Sequence, residues 1–224
     1  MRRLFTRRGV TGRMGLVLSL LLGLFAPLGA FSSVLSSGAE AQTTGPATRY
    51  LRQRNDDVIR ILRRDATTDA ARAQRSQDVT HILSDLLDYE ELSRRALGPH
   101  WDQHTEAERR EFVDLLRQLV ERNYESNLER LLEFEVSYTG ETTNSDGTVV
   151  RTEARSRTER RQPPVEITYT LHLQGTSWRV FDVVTDGVSL VRNYRNQFNR
   201  IITESGWPEL IRRMRDRLQR PNTQ

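Results

Sequence analysis

The chain has 224 residues with 34 basic and 30 acidic side chains, and it contains no cysteine, so disulfides and cysteine nucleophiles are excluded. Every basic side chain is Arg rather than Lys. Residues 1–41 hold five of those Arg and one acid, which leaves the remaining 183 residues with 29 of each sign. That balance argues against a general nucleic-acid binder, which needs a net positive field to displace phosphate counterions. The Arg cluster Arg212, Arg213, Arg215, Arg217 and Arg220 reads as a solvated helix face near a C-terminus, where cations suit the helix dipole.

The chain opens with a basic stretch (Arg2, Arg3, Arg7, Arg8, Arg13), an apolar run from Leu16 to Leu35, and the small-x-small site Ala39-Glu40-Ala41. That order predicts a secretory signal peptide over 1–41, cleaved after Ala41, and so export. A membrane anchor is the alternative, and Pro27, Gly23, Gly29 and Ala30 weaken it. Arg7-Arg8 leaves Sec and twin-arginine export both open. Residues 42–48, with Gly45 and Pro46, read as a flexible tether, and 49–220 as a single domain.

Helical spacing of apolar residues predicts helices over 49–64, 69–88 and 89–97, the last ended by Gly98-Pro99. Thr105 and Glu108 form a capping box that opens a long helix toward Leu132. The period then changes to two. Phe134, Val136 and Tyr138 alternate with polar residues, and Asn144-Ser145-Asp146-Gly147 marks a hairpin. Val150, Thr152 and Ala154 share one face of the next strand. Val165, Ile167, Tyr169, Leu171 and Leu173 share one face of another. In the last strand, Trp178, Val180 and Val184 face one way and Phe181 and Val183 the other, so both faces are expected to be covered. Two helices finish the chain, the second begun near Pro208. The expected fold is α+β, an antiparallel four-stranded curved sheet packed by several helices.

Catalytic signatures are sparse. The nucleophile elbow, the phosphate-binding loop and the dinucleotide glycine motif are all absent. His100 and His104 stand four apart, but Trp101 rather than Glu follows the first, which departs from the metalloprotease pattern. Asp182 and Asp186 are candidate bases if buried in an apolar pocket. Turn chemistry at Asp186-Gly187 favours a structural role. Tyr124, Tyr138, Tyr169, Phe181, Tyr194 and Phe198 are spread over sheet and helices, and periodicity does not separate a filled core from a lined cavity.

The stretch Trp178-Arg179-Val180-Phe181-Asp182-Val183-Val184-Thr185-Asp186-Gly187-Val188-Ser189-Leu190-Val191-Arg192-Asn193-Tyr194, continuing to Phe198, resembles the hallmark of the MlaC family. Leu97-Gly98 with Trp101, followed by a helix carrying Phe112 and Tyr124, is similar to the family's other landmark; His100 departs from it. The resemblance implies a periplasmic phospholipid carrier, monomeric and without cofactor, metal or catalytic residue. It would move lipid between an outer-membrane MlaA-type complex and an inner-membrane MlaD-type transporter complex and so maintain outer-membrane lipid asymmetry. The domain would enclose an apolar lipid pocket. Tyr138, Ile167, Tyr169 and Leu171 would line its sheet side. Leu116, Leu119, Tyr124, Val188, Tyr194 and Phe198 would line its helix side. Arg192 and Arg195 would meet the phosphate at the mouth. The alternative reading is a small-molecule enzyme or non-lipid binding module with a cone-shaped α+β pocket.

Overall fold

The computed structural model describes residues 45–125 and 127–220. The expected signal peptide, and residues 42–44 of the expected tether, lie outside the described residues.

Helix α1 spans Pro46–Leu62 and so begins three residues before the expected domain boundary. Pro46 sits in its first turn, where a fixed φ suits the helix and a missing N–H leaves nothing unsatisfied. Gly45 supplies no side-chain cap. Glu141, far along the chain, supplies one instead, accepting the N–H groups of Ala47 at 3.4 Å and Thr48 at 2.7 Å. Helix α2 (Asp69–Leu86) is capped by the Thr68 hydroxyl, and α3 (Tyr89–Leu97) by the Asp88 carboxylate. A 3₁₀ turn over Gly98–Gln103 leads to α4, Glu106–Glu125. The capping box forms as expected: Glu108 accepts the Thr105 N–H at 2.8 Å, and the Thr105 hydroxyl accepts the Glu108 N–H at 3.3 Å.

Helix α4 does not run on to Leu132. It stops at Glu125, and a separate 3₁₀ segment covers Leu128–Glu133. The Asn127 side chain donates to the Asn123 carbonyl at 2.8 Å, bonding locally near the helix end. Leu128, Leu131 and Leu132 then join Val58, Ile61, Leu62, Val79 and Leu83 under α1 and α2. Tertiary burial overrides the helical period there.

The sheet is an antiparallel meander in the order β1 (Phe134–Asn144), β2 (Gly147–Ser156), β3 (Val165–Gln174), β4 (Ser177–Thr185), β5 (Val188–Ser189). Five strands replace the expected four, because Val188 and Ser189 fold back on Thr185 and Val184 after the Asp186-Gly187 turn. The β1–β2 hairpin closes where expected, with the Asn144 side chain accepting the N–H groups of Asp146 and Gly147. Gly147 has φ 148°, and a Cβ there would lie 2.6 Å from the Leu171 carbonyl oxygen, so only glycine fits.

Two bulges shift side-chain parity. In β1 the register slips at Thr139, so Tyr138 and Glu141 lie on the same face. In β4 it slips at Phe181, so Val180 and Val183, expected on opposite faces, both join the cluster on that face. Phe181 turns away, under the Arg95 guanidinium at 4.2 Å and near His172. Both faces of β4 are covered, as its apolar composition suggested.

Helices α5 (Leu190–Ser205) and α6 (Trp207–Gln219) pack with α3 and α4 into a helical core. Phe112, Leu116, Phe198 and Met214 are almost wholly buried there, each contributing about 1.5–3 kcal/mol of burial. Phe112 meets Phe198 edge-on at 5.3 Å.

Candidate functional site

Cross-strand register builds one continuous sheet face. Tyr138 stands opposite Thr152, which stands opposite Ile167; Val150 stands between Glu141 and Tyr169, and Tyr169 opposite Val183. Leu171 is fully buried at one end of this face, with Val150 and Val180. Ala47 and Leu51 of α1, with Leu86 and Leu87 at the end of α2, pack against the same cluster. The Glu141 bond to the first turn of α1 ties that helix to β1.

Away from Leu171 the packing changes. Tyr138, Ile167 and Tyr169 are only half-buried, as is Tyr124 at the end of α4. Burial nevertheless pushes the Tyr169 hydroxyl up to about 12. Burial also raises Tyr124 and Tyr138, and Tyr169 adds to the rise in both. Among the described residues, none of these three hydroxyls has a hydrogen-bond partner within the protein. Each keeps some accessible surface while its ring packs against a buried apolar cluster, Tyr138 and Tyr169 on the sheet face and Tyr124 under α1 and α2. A cleft of about 460 Å³ adjoins Tyr138, lined also by Arg52, Asn55, Asp56, Val136 and Ser137. A second cavity of about 300 Å³ lies between α5 and α6, beside Phe198 and Gln197.

The family model for the MlaC protein matches residues 52–216. The chain belongs to the MlaC family. Among solved structures, it is similar to the phospholipid-binding protein from Ralstonia solanacearum, determined in complex with a phospholipid. The TM-score is 0.63 at 22% identity, over 78% of this chain and 97% of that one. Likeness at that identity concerns the fold. No curated protein matches the chain.

Within this MlaC fold, the residues expected to line one pocket fall into separate groups. Tyr138, Ile167, Tyr169 and Leu171 share the sheet face as expected, and Tyr124 lies near enough to Tyr169 to interact with it electrostatically. Leu116, Leu119, Tyr194 and Phe198 instead interlock in the helical core, at 0, 4, 3 and 1% exposure. Val188 is exposed on β5 at 38%. Helical period placed Leu116, Leu119, Tyr194 and Phe198 correctly on buried faces, but α4 and α5 turn those faces toward each other and α6.

The expected headgroup arginines lie on α5 and bond backbone carbonyls. Arg192 donates to the Gly187 carbonyl at 3.0 Å, and Arg195 to the Arg95 carbonyl at 2.9 Å. Both therefore brace the start of α5. Asp182 accepts from the Ser189 hydroxyl at 2.7 Å and from the Val183 and Val191 N–H groups, a set of bonds that anchors α5 to β4. Asp186 sits at φ 47° in the turn and accepts the Glu166 N–H. His100 bonds Asn199 at 2.9 Å, while His104 stacks on Trp207 at 3.7 Å.

Sequence reasoning did not single out Arg52, Asn55, Asp56 and Ser137, which line the cleft beside Tyr138. A signal for the first three existed: they recur at i, i+3 and i+4, so they share one face of α1 beside the apolar face of Leu51, Val58 and Leu62.

Proposed function

We propose that this chain is a periplasmic phospholipid carrier, holding acyl chains between the sheet face of Tyr138, Ile167 and Tyr169 and the elements around Tyr124. In this reading it passes lipid between an outer-membrane MlaA-type complex and an inner-membrane MlaD-type complex. Membership of the MlaC family supports it, as does the phospholipid held by the Ralstonia solanacearum protein of similar fold. The basic start and apolar run of residues 1–41 support export.

The observation that carries the reading is the family match over residues 52–216, together with a sheet face whose Tyr138, Ile167 and Tyr169 keep accessible surface. Each buried methylene is worth about 0.8 kcal/mol, so exposing two tails of roughly thirty methylenes to water would cost on the order of 20 kcal/mol. A carrier must enclose them. Two tails need a space of about 800–1,000 Å³, so the elements around this sheet face have to part to admit them. An enzyme using Asp182 as base is disfavoured, because both oxygens of that carboxylate already accept hydrogen bonds.

Native mass spectrometry of protein purified from a bacterial periplasm, followed by organic extraction, tests the proposal. An adduct of one phospholipid per chain is expected. Protein that carries no lipid, even after incubation with vesicles, would overturn it.

A further inference from the structure

We infer that the cleft between α1 and β1 selects a zwitterionic headgroup, a phosphate bearing an ammonium as in phosphatidylethanolamine, over an anionic one such as phosphatidylglycerol. The inference rests on the carrier reading above.

The cleft contains one cation, Arg52, and one carboxylate, Asp56, with the neutral Asn55 and Ser137 between α1 and β1. Farther along α1, Asp57 meets Arg54 at 3.3 Å and Arg60 at 2.9 Å. Among the described residues, neither Arg52 nor Asp56 makes an ion pair. They stand at i and i+4, but Arg placed N-terminal to an acid is the weaker orientation for pairing along a helix. Arg52 instead turns its guanidinium over the Tyr138 ring, 4.8 Å from the centroid. Tyr138 belongs to the tyrosine-lined face, so the cleft is where a headgroup would emerge if tails lay against that face.

A charge at i and one at i+4 lie about 5–6 Å apart at their Cβ atoms. A phosphate and an ammonium joined by two carbons can bridge such a pair. The phosphate would take Arg52, with Asn55 as a hydrogen-bond donor, and the ammonium would take Asp56. A phosphoglycerol group would satisfy Arg52 but leave its own net charge facing the Asp56 carboxylate. The site is exposed, so the difference is set by one solvent-screened pair and amounts to about threefold in affinity.

The test loads delipidated full-length exported protein from vesicles of equimolar dioleoyl phosphatidylethanolamine and dioleoyl phosphatidylglycerol, then measures the extracted lipid. Wild type should carry about three times more of the ethanolamine lipid. Asp56→Asn should bring the ratio close to one, and Arg52→Gln should lower loading of both lipids. Equal loading by wild type, or a ratio unchanged in Asp56→Asn, would overturn the selectivity while leaving the carrier reading intact. Glycerophosphoethanolamine, which lacks tails, should not compete; competition at lipid-like concentrations would make the cleft a site for soluble phosphates and overturn the inference. Absence of lipid in every arm would remove both readings together.

Discussion

The Glu141 carboxylate accepts the backbone N–H of Thr48 at 2.7 Å, across 93 residues of sequence. One side chain thus caps α1 and fastens it to the sheet. A Cβ on Gly45 would fall within 2.4 Å of three carboxyl atoms of Glu141, which shows how closely the two segments approach. Glu141 is 9% exposed. Glu141→Ala should lower stability by about 1–2 kcal/mol, the range for losing a helix cap. Glu141→Gln, which keeps an oxygen acceptor, should lose less. Urea unfolding followed by circular dichroism checks both, and equal stability in Glu141→Ala would show that the clasp contributes nothing.

Tyr169 and Leu171 lie two apart on β3 and face the same way, yet they should respond differently to a charge. Leu171 is fully buried among packed side chains, so Leu171→Glu strands a carboxylate in the core and should unfold the domain. Tyr169 keeps accessible surface. Tyr169→Glu should leave a cooperatively folded protein that no longer co-purifies with lipid. Thermal melts together with lipid extraction separate the two outcomes, and lipid retained by Tyr169→Glu would move the pocket elsewhere.

Arg192 and Arg195 bond backbone carbonyls rather than lining the α1–β1 cleft. Arg192→Ala and Arg195→Ala should each change bound lipid by less than about twofold and stability by about 1 kcal/mol, the net value of an ordinary hydrogen bond. A several-fold loss of lipid in either variant would restore the headgroup role that the sequence suggested.

Stability should fall at both extremes of pH. Burial holds the Tyr169 and Tyr194 hydroxyls up to about 12, above the ordinary 10. A group raised in this way contributes fully below 10, and its contribution is lost as pH rises from about 10 through about 12. At the acid end, hydrogen bonds from Arg212 and Arg213 lower Glu209 from 4.5 to about 2. For Glu91, burial alone would raise the carboxyl, but the bonds from Arg94 and Arg95 together outweigh it. These depressed groups contribute above their ordinary value of 4.5, and the contribution disappears as pH falls toward about 2. Melting temperature followed from acid to alkaline pH should therefore form a plateau that declines in both windows. Melting that is flat between about pH 10 and 12 would contradict the buried tyrosines.

Local chemistry was legible from the residues. The Thr105–Glu108 capping box, the Asn144–Gly147 hairpin and the alternation of β2 and β3 are read from one segment at a time, and each formed where its spacing placed it. The Trp178–Phe198 stretch resembled the MlaC family, and the family match covers it. The bulges at Thr139 and Phe181 were not legible. A bulge adds one residue without changing composition, and it reverses the face of everything beyond it.

The sequence by itself determined which residues of each helix and strand are apolar enough to turn inward, because that depends only on the period of one element. The tertiary structure decided what each inward face meets. It sent Leu116, Tyr194 and Phe198 into an interlocked helical core and left Tyr124, Tyr138 and Tyr169 only partly buried at the edges of two other clusters. It also brought Arg52 onto Tyr138, a partner 86 positions away. No periodicity carries that information, because contacts between elements depend on loop lengths, bulges and the packing of the whole domain.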